Sequence, residues 1–240
     1  MVSIPSGLVT FFVRFSALST LIRFVQLVMI FALVSAASAA DATPQARQDP
    51  ARPAIVVLGD SLSAGYGIKI QQGWVNLLAQ RLASEGYGYR VVNASVSGET
   101  TQGGLARLPR ALEMHKPAIV IVELGGNDGL RGLPLAASRT NLDRIVELSR
   151  AAGARVLLVG MVIPPNYGPR YGQEFRDMFA ALAAQHQLAF VPFLLDKVAL
   201  KTEWMQADGI HANAAGQPQM LENVWPKLKR LLVAPGKPAS

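Results

Sequence analysis

Five short apolar runs, separated by stretches of helical period, constrain this chain more than any other feature. The runs span 54–58, 89–93, 119–124, 156–162 and 188–192. Between them, apolar residues recur every three or four positions. Examples are Trp74, Leu77, Leu78 and Leu82 in 74–84, Leu105, Leu108 and Leu112 in 101–115, and Phe175, Met178, Phe179 and Leu182 in 171–186. Two further helices are expected, over 140–152 with Gly153 at its end and from about 214 to 232. Strands that are apolar without alternation are covered on both faces, and strands that alternate with helices pair in parallel. The pattern predicts an α/β protein: a three-layer α/β/α sandwich around a five-stranded parallel sheet, over residues 54–234. Half of the residues are hydrophobic, which is enough to fill such a core.

The ends read differently. In residues 1–40 the only charges are Arg14 and Arg23, 24–34 is apolar, and Ala37-Ser38-Ala39 forms a small-residue A-x-A site. This is the layout of a secretory signal peptide, cut near Ala39 or Ala40. An uncleaved anchor would want the ~20 apolar residues that span a bilayer. Residues 41–53 are expected to be a flexible lead-in and 235–240 a frayed tail. The expected location is periplasmic or secreted. No cysteine is present, so disulfides and thiolate metal sites are excluded, and three histidines make a histidine-rich zinc site a poor fit. No metal or other cofactor is expected. The formal charge of +7 is scattered, with no basic stripe interleaved with aromatics. That argues against a nucleic-acid partner and allows transient contact with an anionic membrane surface. Nothing implies an obligate protein partner.

In a parallel sheet the functional loops follow the carboxyl ends of the strands. The first strand runs into Gly59-Asp60-Ser61-Leu62-Ser63, the second into Asn93-Ala94-Ser95-Val96-Ser97-Gly98, and the third into Gly125-Gly126-Asn127-Asp128-Gly129. Past the fifth lies Asp208-Gly209-Ile210-His211. Acyl transfer needs a nucleophile, a base held by a third group, and donors for the developing oxyanion. Ser61 can attack, His211 can take its proton, and Asp208 can hold the other imidazole nitrogen. The N–H groups of Ser61 and Gly98 and the side-chain amide of Asn127 can form the oxyanion hole. Each has a plainer use: Ser61 and Asp208 as caps, Asn127 in a turn. The plain uses together would require four coincidences at one sheet edge. His115 and His186 read as helix ends, and Asp60 and Asp128 as loop hydrogen-bonding groups. No G-x-x-x-x-G-K-[ST] or G-x-G-x-x-G occurs, and Ser63 stands where the G-x-S-x-G elbow needs its last glycine.

These blocks, in this order, resemble the SGNH, or GDSL, hydrolase family. Gly59–Tyr66 with 123–132, 165–168 and 204–211 is similar to its bacterial thioesterase I/protease I/lysophospholipase (arylesterase) subgroup. The resemblance implies a flavodoxin-like sandwich and a metal-free serine esterase acting on a small-molecule or lipid ester or thioester. It implies a Ser61, Asp208, His211 triad with Ser61, Gly98 and Asn127 at the oxyanion. It also implies that the loop 129–134, with Leu130, Leu133 and Pro134, closes over an acyl chain beside Ile163 and Pro164. Two departures stand out: Ala212 where the subgroup often has proline, and Pro165 as a second consecutive proline. A carbohydrate O-deacetylase on the same fold, or an exported binding protein holding an anion, are the alternatives.

Overall fold

The computed structural model describes residues 52–234. The expected signal peptide, most of the lead-in and the tail lie outside them. Five strands form one sheet: β1 (Ala54–Gly59), β2 (Arg90–Asn93), β3 (Pro117–Glu123), β4 (Arg155–Val159) and β5 (Ala189–Val191). All pair in parallel, in the order β2-β1-β3-β4-β5. The helices are α1 (Ser61–Ala64), α2 (Trp74–Ser84), α3 (Thr101–His115), α4 (Gly126–Leu130), α5 (Leu135–Ala151), α6 (Pro169–Gln185) and α7 (Gln217–Lys229). On one face of the sheet α2 packs with α7, and on the other α3, α5 and α6 pack side by side. Residues 55–58 and 119–122 are fully buried, as runs sandwiched between helices must be.

The strand order reverses between β1 and β3, where neighbouring crossovers depart to opposite faces and leave a crevice at the carboxyl edge. Register matters there: Gly59, the last residue of β1, pairs with Glu123, the last of β3. The loops that carry Ser61 and Asn127 therefore leave the sheet side by side.

Some bounds are shorter than expected, β4 ending at Val159 against 162 and α7 spanning Gln217–Lys229 against about 214–232, and two elements differ in ways that bear on the site. The third long helix, α5, begins at Leu135, ahead of the expected 140, because Pro134 fixes a φ of −58° at its entrance and Ser138 turns inward. The Gly126-Asn127-Asp128-Gly129 stretch, which reads as a turn, is the short helix α4. Asp128 holds it in place: Oδ2 accepts from the Thr101 N–H at 2.9 Å, and Oδ1 from the Thr101 hydroxyl at 2.5 Å and the Ser138 hydroxyl at 3.1 Å. This buried cluster ties the starts of α3, α4 and α5 together. Among the described residues no helix is long and apolar enough to cross a membrane.

Candidate active site

The turn after β1 is built by its side chains. Asp60 Oδ1 accepts from the Leu62 N–H at 3.0 Å and caps α1, so the short helix starts immediately and Ser61 stands at its first position. First-turn N–H groups have no helical acceptor. Among the described residues neither the Ser61 N–H nor the Gly98 N–H finds one. Gly98 adopts a left-handed φ of +79°, and its carbonyl accepts from Arg131 Nη2 at 2.9 Å.

His211 arrives from the other side. Its Nε2 lies 2.8 Å from Ser61 Oγ, and its Nδ1 lies 2.7 Å from Asp208 Oδ2. The other oxygen of Asp208 accepts from the N–H groups of Ile210 (2.9 Å) and His211 (3.0 Å). Those bonds, led by the His211 N–H, pull the carboxyl down to about 2, so Asp208 is ionised throughout the neutral range. The loop is closed behind them by a Met205–Ala212 bridge and by Gln206. Its Nε2 donates to the Tyr66 carbonyl at 2.8 Å and the Ala212 carbonyl at 3.1 Å. These bonds supply stiffness where the subgroup's proline would stand. The Tyr66 ring lies 4.6 Å from the imidazole.

Asn127 joins the same edge but is already engaged. Its Nδ2 donates to the Glu99 carbonyl at 2.9 Å and to Asp60 Oδ2 at 3.1 Å. Glu99 is in turn paired with Arg107 at 2.6 Å. Asp60 is buried, and burial pushes its carboxyl up to about 6.

The expected groove residues divide. Leu130 and Pro164 are half-buried, Leu133 and Pro134 are exposed, and Ile163 is buried beneath Gly129. The loop 129–134 is tethered: the Leu133 N–H bonds to the Asp128 carbonyl at 2.9 Å, and the Tyr167 hydroxyl to the Leu130 carbonyl at 2.7 Å. Pro165 opens a turn of 3₁₀ helix, Pro165–Tyr167, that sets this tyrosine. His186 pairs with Asp143, and the His115 carbonyl accepts from Arg90, both away from the cluster.

The family model of GDSL-like lipases and acylhydrolases matches residues 57–218, a span that contains every residue of this cluster. The chain belongs to that family. It is a carboxylic ester hydrolase of the GDSL type. The esterase TesA of Pseudomonas aeruginosa is 56% identical over 185 residues, covering 77% of this chain and 92% of that protein. Thioesterase 1/protease 1/lysophospholipase L1 of Escherichia coli K12 is 42% identical over 182 residues, covering 76% and 86%. A crystal structure of TesA superposes with a TM-score of 0.73 at 56% identity, covering 75% of this chain and 99% of that one.

Two contributors to the site escape sequence reasoning. Gln206 carries no signal, because a glutamine before a loop can do anything. Glu123 does carry one: it is a charged residue at the end of a wholly apolar strand. It is completely buried. Its Oε2 accepts from Ser63 Oγ at 2.5 Å and from the Asp60 N–H at 3.3 Å, while Oε1 has no partner. Burial, and then the charge of Asp60, raise its carboxyl well above the ordinary range.

Proposed function

We propose that Ser61 is the nucleophile of an exported esterase, with His211 as its base and Asp208 as the group that orients the base. The Ser61 proton passes to His211 Nε2 as Oγ attacks an ester or thioester carbonyl. The resulting imidazolium is balanced by Asp208 and then protonates the leaving group. Water, activated by the same nitrogen, releases the acid from Ser61. The Ser61 and Gly98 N–H groups receive the oxyanion. Asn127 Nδ2 joins them by turning one proton from its present acceptor toward the substrate oxygen.

The observation that carries this reading is the unbroken chain from Asp208 through His211 to Ser61, at 2.7 and 2.8 Å, beside two N–H groups without acceptors. An acyl chain would lie along Leu130, Leu133, Pro134 and Pro164, with Ile163 beneath. The exposed side chains Tyr66, Ile70, Val96, Leu133 and Ile210 all lie on connections that follow the carboxyl ends of strands, Ile70 on a turn of 3₁₀ helix. They support transient contact with a lipid surface and a small-molecule or lipid ester as substrate. Export, with residues 1–40 removed near Ala39 or Ala40, places the reaction in the periplasm or outside the cell. Labelling by a fluorophosphonate tests the assignment. Ser61 should be the modified residue, and S61A should lose on the order of 10⁶ in kcat on p-nitrophenyl butyrate. Parental turnover by S61A would refute the reading.

A further inference from the structure

We propose that Glu123 is a positioning residue for acyl transfer, whose carboxyl, at the end of β3, holds the Gly59–Ser63 turn in place beneath the nucleophile. The geometry is specific. Glu123 and Gly59 are register partners, and the side chain passes so close to Gly59 that a Cβ there would lie 2.6 Å from Oε2. From this position one oxygen reaches two consecutive parts of the turn, the Asp60 N–H and the Ser63 hydroxyl. They flank Ser61. Asp60 in turn reaches Leu62 and Asn127. Glu123 thus anchors the turn that presents the nucleophile, and through Asp60 it is linked to the amide assigned to the oxyanion.

The carboxyl does this as a neutral acid. Among the described residues no Lys, Arg or His pairs with it. Asp60 is the one titratable group that acts on it, Ser63 being its other polar neighbour. A buried ion with one unsatisfied oxygen, next to a second carboxyl, is strongly disfavoured, so the proton stays on. Removing it at high pH places a negative charge under Ser61, opposing the charge that grows on the substrate oxygen. Glu123 should therefore set an alkaline limit to turnover.

This inference rests on Ser61 as nucleophile, which fluorophosphonate labelling of the parent checks separately. The test compares parent, E123Q and E123L on p-nitrophenyl butyrate from pH 6 to about 10, with spontaneous hydrolysis subtracted and folding followed by circular dichroism. E123Q keeps the shape and cannot ionise. It should retain kcat at pH 7 within about tenfold and hold that rate through the range where the parent declines. E123L leaves the Ser63 hydroxyl and Asp60 N–H unpaired, and should lose about 10- to 100-fold in kcat with little change in KM. If E123L does not fold, E123Q decides alone. Superimposable kcat–pH profiles for parent and E123Q, or parental kcat in E123L, would overturn the proposal.

Discussion

Replacing Asp208 by asparagine should harm the enzyme more than deleting its side chain. One oxygen of Asp208 is committed to the N–H groups of Ile210 and His211, which only an acceptor can satisfy. In D208N the amide oxygen takes that place and the NH₂ faces His211 Nδ1. The imidazole must then accept at Nδ1 and carry its proton on Nε2, toward Ser61, where a base is needed. D208A loses the charge and the caps, but water can fill the space, because the Asp208 side chain is 38% exposed, and water lets either tautomer form. The attraction between imidazolium and carboxylate at ~4 Å is about 1 kcal/mol in water and about 4 kcal/mol near a protein surface. Screening at this half-open pair places D208A near 2 kcal/mol, roughly 30-fold in kcat. D208N loses the same attraction and must also turn an N–H against an N–H, about 1–3 kcal/mol more, for a total loss of roughly 10²–10⁴. The assay is kcat for p-nitrophenyl butyrate at pH 7.5, with melting temperature as the control that the loop survives. D208N within tenfold of the parent, or faster than D208A, would refute the tautomer argument.

Three other perturbations follow from packing and linkage. A Cβ on Gly129 would lie 2.7 Å from Phe175 Cε2 and 2.8 Å from Ile163 Cγ2, so G129A should cost about 1–3 kcal/mol, read as a lower denaturant midpoint at unchanged m-value. T101V removes the hydroxyl that donates to buried Asp128, and should cost about 1–3 kcal/mol and loosen α4, raising amide exchange at Asn127 and Asp128. The third concerns pH. Glu123 binds a proton in the folded state that the unfolded chain releases near pH ~4.3, so its contribution to stability is fullest below that value and is lost as pH rises toward its folded value. E123Q does not titrate, so the melting temperature of E123Q minus that of the parent should grow from pH 4 upward, and a constant difference would contradict this.

Much of the fold was legible because its signals are local. Runs such as 55–58 and 119–122 are apolar on both faces, and only a doubly covered parallel strand wants that. The candidate site is legible for a related reason: each loop at the carboxyl edge offers few reactive groups, so Ser61, Asp208 and His211 stand out, and the structure brings the three within hydrogen-bond distance. What stayed hidden depends on pairs distant in sequence. Gly126–Leu130 has poor helix formers and reads as a turn. It is helical because Asp128 is gripped by Thr101 and Ser138, a contact that no local pattern announces. Ser138 lies ahead of the expected start of its helix at 140, and its place inside the helix, pointing inward, depends on the same contact. Glu123 looks like the point where a strand meets solvent, until the register of β1 against β3 places it under Gly59.

The two halves of the site are held by different physics, and this bears on how the enzyme can vary. Ser61 and Asn127 sit at the starts of short helices fixed by buried carboxyls, Glu123 and Asp60 at one and Asp128 at the other. Each of those carboxyls has at least one partner more than twenty residues away, so a change at any of them propagates through the core. Asp208 and His211 sit on an exposed loop whose hydrogen bonds are mostly internal to 204–213, with Gln206 as its tie to the Tyr66 turn. The loop with the proposed base is braced mainly by its own hydrogen bonds, whereas the turn with the proposed nucleophile is braced by the end of β3. Adaptation to different esters should fall on the exposed lip around Leu133 and Ile210, whose side chains take no part in the hydrogen bonds that hold either half.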